Sequence, residues 1–262
     1  MRKKVSAGLI LLFAVLTVAA RADDWSKTYM VTGKPELRVD TNDGNVEVTV
    51  WDRSEIQARV STQGWRIGPD DVRIHESQSG NSVDLDVHVP NLHWSVGRRQ
   101  VSVELKVPRQ DDVNIHTGDG NISVEDVKGE LRLQSGDGRI EGVGLDGSLE
   151  AKSGDGGIRV RGRFDVMRLE TGDGRIDAEA ASGSKMASDW SARSGDGSVV
   201  LRLPADLSAE LDLHTGDGHI TLDFPVTVSG SLSRSTIRGK LNGGGPTLTV
   251  HTGDGSIRLE KI

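Results

Sequence analysis

The tetrapeptide Ser/Thr-Gly-Asp-Gly returns again and again through this 262-residue chain. HTGDGNISV stands at 116–124, QSGDGRIEG at 134–142, KSGDGGIRV at 152–160 and ETGDGRIDA at 170–178. The turn aspartates fall at 119, 137, 155, 173, 196, 217 and 254, so the spacings are 18, 18, 18, 23, 21 and 37. A fixed period of about 20 residues is the mark of one supersecondary unit stacked on its own copies. A phosphate loop or a metal loop would need its motif once or twice, not in every unit.

The contents of the period name the unit. Three residues after each turn aspartate stand Ile122, Ile140, Ile158, Ile176, Val199, Ile220 and Ile257. A second apolar pair follows in the regular copies: Leu131 and Leu133, Leu149 and Ala151, Met167 and Leu169. Each period therefore holds two short strands with alternate residues inward. A second corner lies between them, at Gly129, Gly147 and Asp165. Glycine at both corners is expected to supply the positive φ angles of sharp turns. The aspartate is expected to fold its carboxylate back onto backbone N–H groups, as in an Asx-turn. The 37-residue gap before Asp254 reads as two periods with one decayed turn, Ser233-Arg234-Ser235-Thr236-Ile237.

Strict alternation extends upstream, in Val46-Glu47-Val48-Thr49-Val50, in Val83–Val89 and in Val101–Val107. The 33 glycines are scattered throughout, and one inside a helix costs about 1 kcal/mol relative to alanine. The fold class is all-β. Two arrangements fit: a single-stranded parallel β-solenoid (β-helix) with about 18-residue rungs, or an antiparallel β meander or sandwich. Outward charges favour the solenoid. Arg132, Glu150 and Arg168 alternate in sign at one offset, and Glu141, Arg159 and Asp177 at another. Stacked rungs place such residues about 4.8 Å apart, where opposite charges attract. Stacked turn aspartates, by contrast, would repel by roughly 0.8 kcal/mol per pair in bulk water. Arg139, Arg175, backbone N–H groups or a bound cation are the candidates to offset that.

The ends divide the chain. Arg2, Lys3 and Lys4 precede an apolar run, Val5 to Ala20. Ala20-Arg21-Ala22 fits the small-x-small pattern of signal-peptide cleavage. The run is short for a span of about 20 residues. Residues 1–22 are thus expected to be a signal peptide, with no cysteine at the junction to carry a lipid and no stable membrane span after cleavage. Residues 23–110 are expected to form an irregular β N-terminal section that caps the stack, and 111–262 the regular rungs. Cleavage would take the formal net charge from -7 to -11. That acidity argues against nucleic acid as a partner, because phosphate neutralisation needs clustered Lys and Arg. With no cysteine, an exported chain must be stabilised by its core and its repetition.

Leu37–Val48, with its own Thr41-Asn42-Asp43-Gly44 turn, joins the central turns and the C-terminal Ile237–Pro246, Leu248–Val250 and Thr252-Gly253-Asp254-Gly255. Together they resemble the bacterial putative-adhesin family of β-strand-repeat proteins, a family of unknown function. The resemblance covers roughly residues 35–262. It implies an exported or envelope-associated repetitive β fold, and some relatives are linked with envelope-stress sensing. It brings no catalytic residues to carry over.

Site candidates are few. Asp43, Asp119, Asp137, Asp155, Asp173, Asp196, Asp217 and Asp254 are expected to serve the turns. Calcium would need six to eight oxygens where each turn offers one carboxylate, so the Asx-turn is preferred to a metal site. His116, His214 and His251 precede TGDG turns and His219 follows one. His214 and His219 could approach for zinc, but no third ligand has recognisable spacing. Ser135, Ser153 and Ser194 recur without a Ser-His-Asp arrangement. Four of the five tryptophans, Trp25, Trp51, Trp65 and Trp94, precede residue 95, with Trp190 apart; they suit a cap better than a sugar platform. Trp94 and its neighbour His93 are the candidates for ligand contact. No catalytic residue, cofactor or metal is expected. The function read from the sequence is an exported, non-enzymatic structural or adhesin-like repeat protein, periplasmic or extracellular, that could bind glycan or an envelope protein. The alternatives are an envelope-stress or regulatory binding module and a polysaccharide-active β-helix enzyme.

Overall fold

The computed structural model describes residues 22–90 and 100–262, and within 229–232 the backbone alone. The described residues form strands and turns with no α-helix. The first third holds β1 (Ala22–Met30), β2 (Glu36–Thr41), β3 (Asn45–Trp51), β4 (Glu55–Gln63), β5 (Arg73–Ser79), β6 (Ser82–His88) and β7 (Gln100–Pro108). The middle holds β8 (Asp112–Thr117), β9 (Ile122–Glu125), β10 (Lys128–Ser135), β11 (Ile140–Ser153), β12 (Ile158–Thr171), β13 (Ile176–Ala180), β14 (Trp190–Ser194) and β15 (Val199–Leu203). The last part holds β16 (Ala209–Thr215), β17 (Ile220–Leu222), β18 (Val226–Leu232), β19 (Thr236–Leu241), β20 (Thr247–Thr252) and β21 (Ile257–Lys261).

Alternation decides which face each strand buries. In β6, Val83, Leu85 and Val87 are buried while Asp84 and Asp86 are exposed. In β7, Val101, Val103, Leu105 and Val107 all point inward. Burying one such side chain is worth about 1.5–3 kcal/mol. The inward residues join into one continuous core, in which Trp190, Tyr29 and Phe164 are the largest fully buried side chains.

The strands make two walls of a flattened coil. One wall runs β5-β6-β2-β8-β10-β11-β12-β14-β20-β16-β19-β18. The other runs β1-β4-β7-β3-β9-β11-β12-β13-β15-β21-β17. β11 and β12 serve both walls, bending at the second corner. There Asp126 (φ 59) and Gly144 (φ 68) occupy the left-handed region one layer apart. Gly adopts that conformation freely and Asp tolerates it. Parallel pairing carries the stack: Leu131 lies beside Leu149 and Leu149 beside Met167, while Ile122, Ile140, Ile158 and Ile176 form one column. The layers run in the same direction and in register, as in a β-solenoid.

The offset charges stack as expected, Arg132 beside Glu150 beside Arg168, and Glu141 beside Arg159 beside Asp177. The ion pairs that form are mostly different ones. Arg132 meets Glu130 on its own strand, and Arg202 reaches diagonally to Asp177 at 2.5 Å.

Spatial order departs from chain order at both ends. The layer made by β2 and β3 lies between that of β6 and β7 and that of β8 and β9. The last layer, β20 and β21, lies between β14–β15 and β16–β17. The expected decayed rung at 233–237 is therefore not a rung. β19 runs antiparallel to β16, with Ile237 opposite Leu213, and β18 runs antiparallel to β19. A hairpin there covers the outer edge of β16 and then returns the chain to the gap that β20 fills. At the other end β5 covers β6, and β4 and β1 cover β7, all antiparallel. No helix among the described residues is long and apolar enough to cross a membrane.

Candidate functional site

The repeated turns make one long edge, and its logic rests on the residue before the first glycine. Each such hydroxyl is buried: Thr117, Ser135, Ser153, Thr171, Ser194, Thr252 and Thr215. Ser135 donates to the Gly120 carbonyl (2.8 Å) and accepts from the Gly138 N–H (2.9 Å). Ser153 donates to Gly138 (2.9 Å) and accepts from Gly156 (3.1 Å). Thr171 continues to Gly156, Ser194 to Gly174, Thr252 to Gly197 and Thr215 to Gly255. A hydroxyl serves here because it both gives and takes a proton, and so closes its own turn while tying it to the layer below.

The turn glycines answer to that closeness, not to backbone angle. Of the second glycines only Gly44, in the first turn, has a positive φ, at 133°. Elsewhere a Cβ would strike the layer beneath: at Gly138 it would collide with the Gly120 carbonyl, and at Gly156 with that of Gly138.

The aspartates stand outside this network. Asp43, Asp119, Asp137, Asp155, Asp173, Asp196, Asp254 and Asp217 are all exposed, in that order along the edge. From Asp119 onward none of their carboxylates has a hydrogen bond or ion pair among the described residues, so the expected Asx-turn does not form. The N–H one residue on goes to the buried hydroxyl, and at Asn121 and Arg139 the N–H two residues on goes to an asparagine of the neighbouring layer. Arg139 and Arg175 turn instead to Glu141 and Asp177, each at 3.7 Å. The carboxyl of Asp43 is held above the ordinary value by burial and by the charge of Asp119. No group of three or more His, Asp or Glu among the described residues is disposed to hold a metal ion.

The histidines separate. His214 faces His251 edge-on, ring centroids 6.0 Å apart, and its Nδ1 is 3.0 Å from Thr236 Oγ1. His219 Nδ1 lies 3.1 Å from Ser256 Oγ. Burial holds His251 below the usual histidine value, partly offset by Asp212 at 3.8 Å. His116 lies 3.5 Å from Asp40.

Trp190 is buried and donates to the Asp165 carbonyl, and Trp65 is buried near the first end. Trp51 is half-buried, donates to Glu55 O and lies under Arg53 and near Lys106. Trp25 packs half-buried against the core. Trp94 and His93, the expected contact residues, lie outside the described residues.

Sequence reasoning passed over two features. One is Asp111, at the second corner, fully buried with neither carboxylate oxygen hydrogen-bonded. Burial first, then Asp112, pushes its carboxyl up to about 8. Its offset from Gly129 is one period, but a charged residue at a turn reads as exposed. The other is a set of surface hollows. One of about 350 Å³ on the first wall is lined by Arg38, Asp40, His75, Glu76, Asp84 and Asp86. Two adjoin on the second wall: about 350 Å³ around Gly142, Val143, Arg161 and Arg202, and about 250 Å³ around Arg139, Gly157 and Arg175, sharing Arg159 and Asp177. Beside them Arg161 holds Glu179 at 3.1 Å, and Arg202 holds Asp177 and Glu260.

Two walls of in-register parallel strands, a ladder of buried hydroxyls on one edge and antiparallel covers at both ends define a β-solenoid repeat protein. The chain belongs to the Toastrack DUF4097 family, whose profile matches residues 34–186 and again 112–260. It is similar in fold to a putative adhesin from Bacteroides fragilis NCTC 9343, at 12% identity and a TM-score of 0.52 over 91% of this chain and 97% of that one. A putative adhesin from Parabacteroides merdae ATCC 43184 gives 11% identity and 0.46 over 90% and 96%. A putative cell adhesion protein from Clostridium sporogenes ATCC 15579 gives 12% and 0.44 over 92% and 100%. No curated protein matches the chain.

Proposed function

We propose that this chain is an exported, non-enzymatic, adhesin-like repeat protein that presents a rigid polar surface to glycans or other envelope components. One observation carries the reading: the outward residues repeat at a fixed short interval along continuous walls. Eight exposed carboxylates occupy one edge, and charged side chains pair across both walls. Such a surface suits contact at many equivalent points rather than chemistry at one. The basic start and apolar run of residues 1–22 support export, and the likeness in fold to a putative adhesin supports the class. In this reading residues 23–110 close one end of the stack and 111–262 carry the regular surface.

The test is a glycan array probed with the purified chain from Asp23, alongside crosslinking in the intact envelope. Binding to a defined glycan set or capture of an envelope component supports the reading. New reducing ends released from a polysaccharide would overturn its non-enzymatic part. Capture of one membrane signalling partner alone, without glycan binding, would favour a regulatory module.

A further inference from the structure

The residue two places after each turn aspartate forms its own column: Asn45, Asn121, Arg139, Gly157, Arg175, Ser198, Ser256 and His219. Where that residue is Asn or Ser, its side-chain oxygen accepts the backbone N–H of the next layer. Asn45 accepts from Asn121 at 3.0 Å, Asn121 from Arg139 at 2.9 Å and Ser198 from Ser256 at 3.2 Å. The pattern breaks in the middle. Gly157 has no side chain and arginine cannot accept, so the N–H groups of Gly157, Arg175 and Ser198 have no acceptor among the described residues, and an oxygen at position 157 would meet that of Arg175.

Arginine surrounds that place. The hollow of about 250 Å³ is lined by Arg139, Arg159 and Arg175 on three successive layers. Arg159 lies in register between Glu141 and Asp177 yet forms an ion pair with neither. Arg139 and Arg175 hold their acids only at 3.7 Å and stay 63% and 60% exposed. On a chain of formal charge -7 this places three guanidinium groups, one of them unpaired, beside unpaired backbone donors; the one acid lining the hollow, Asp177, is itself held by Arg175 and Arg202.

We infer that this hollow binds a carboxylate-bearing sugar, a uronate unit, whose carboxylate oxygen takes the position that the Asn121 carboxamide oxygen holds two layers below. A carboxylate matches that carboxamide in shape and hybridisation, and guanidinium binds it through paired N–H donors. A doubly charged phosphate would meet the nearby Asp155 and Asp173 ladder at greater cost. The hollow is smaller than the roughly 300–1,000 Å³ pockets of drug-sized ligands, so it fits one sugar unit with the chain beyond it lying on the wall. A peptide strand has no purchase here, because β11, β12 and β13 are paired on both sides. The inference rests on the glycan-binding form of the proposed function and assigns it a place.

The experiment titrates the full mature chain with oligogalacturonate, following backbone amides by NMR. Acetate, inorganic phosphate, a neutral oligosaccharide of equal length and an acidic peptide serve as separate arms. Gly157→Asn rebuilds the oxygen that the other layers carry, and Arg159→Gln removes the free charge; melting temperatures confirm that both fold. The expected result is a shift of the Arg175 amide on adding the uronate, and at least tenfold weaker binding in each variant. Uronate binding that both variants leave unchanged would overturn this site while leaving glycan binding standing. Neutral sugars binding in place of uronate would do the same. Preference for phosphate or for the peptide would overturn the ligand class, and failure of every glycan would overturn both this inference and the reading beneath it.

Discussion

The hydroxyl of Ser153 donates to the carbonyl of Gly138, fifteen residues earlier and one layer below, at 2.9 Å. The same oxygen accepts the N–H of Gly156 at 3.1 Å. Replacing Ser153 with Ala leaves both groups unsatisfied in a buried place, a cost of about 1–3 kcal/mol. Ser153→Thr should be near neutral, since Thr171 does the same task one layer on. Urea unfolding of the two variants checks the contrast.

Glycine at position 138 is required by the carbonyl beneath it. Gly138→Ala forces that layer apart and should cost at least as much as overpacking a core, about 1–3 kcal/mol. A methyl group at position 68 would meet nothing within 4 Å, and Gly68 has no positive φ. Gly68→Ala should therefore change the melting temperature little.

Asp111 makes stability fall as pH rises. Its carboxyl titrates near 8 in the fold but near the ordinary aspartate value, about 3.9, when unfolded. Between those values the native chain keeps a proton that the unfolded chain has lost, so this group alone lowers stability by up to ~1.4 kcal/mol per pH unit. The charges of Asp112 and Glu36 add to the upward shift, while Lys34 and the backbone N–H of Asp112 oppose it. Asp111→Asn should remove this dependence and raise stability above pH 8, as read by denaturant midpoints across the range.

The aspartate edge should respond to salt. Neutralising one interior member, Asp155→Asn, relieves repulsion from Asp137 and Asp173. The expected gain is about 0.5–1 kcal/mol at low ionic strength, fading near 1 M as the Debye length shrinks to about 3 Å. Melting temperatures of the wild type and variant at two salt concentrations measure it.

Much of this fold is legible in the sequence alone. The equal spacing of Ile122, Ile140, Ile158 and Ile176 points to a repeated two-strand unit, and the alternating outward charges favour the parallel stacking in which these residues form one column. The order of the layers is not legible. Val199 packs as well beside Ile257 as it would beside Ile220, so a repeat that makes its layers alike leaves their sequence undetermined. The roles within the turn are inverted for a related reason. A conspicuous aspartate draws attention, whereas Ser135 and Ser153 look like ordinary polar residues until burial shows that each must find two partners. Likewise glycine suggests an unusual φ, and nothing local in the sequence reveals a carbonyl arriving from the layer below. At the Arg139, Gly157, Arg175 hollow the signal is present as a break in a column of Asn and Ser, visible only once that column is known to stack.

Every role assigned to a residue above depends on parallel layers in register, with the last one inserted out of chain order. In the fold Arg193 lies beside His251, and His251 lies between Arg193 and His214. The chain has no cysteine, so an engineered pair is unambiguous. Disulfide formation in Arg193→Cys/His251→Cys and in Arg193→Cys/His214→Cys, read by mass spectrometry of the folded chain under mild oxidation, tests that layer order directly. A bridge needs Cα atoms about 4.4–6.8 Å apart, which adjacent strands satisfy and strands two apart do not. Rapid bridging of the first pair and none of the second is the predicted result; bridging of the second pair in place of the first would contradict it.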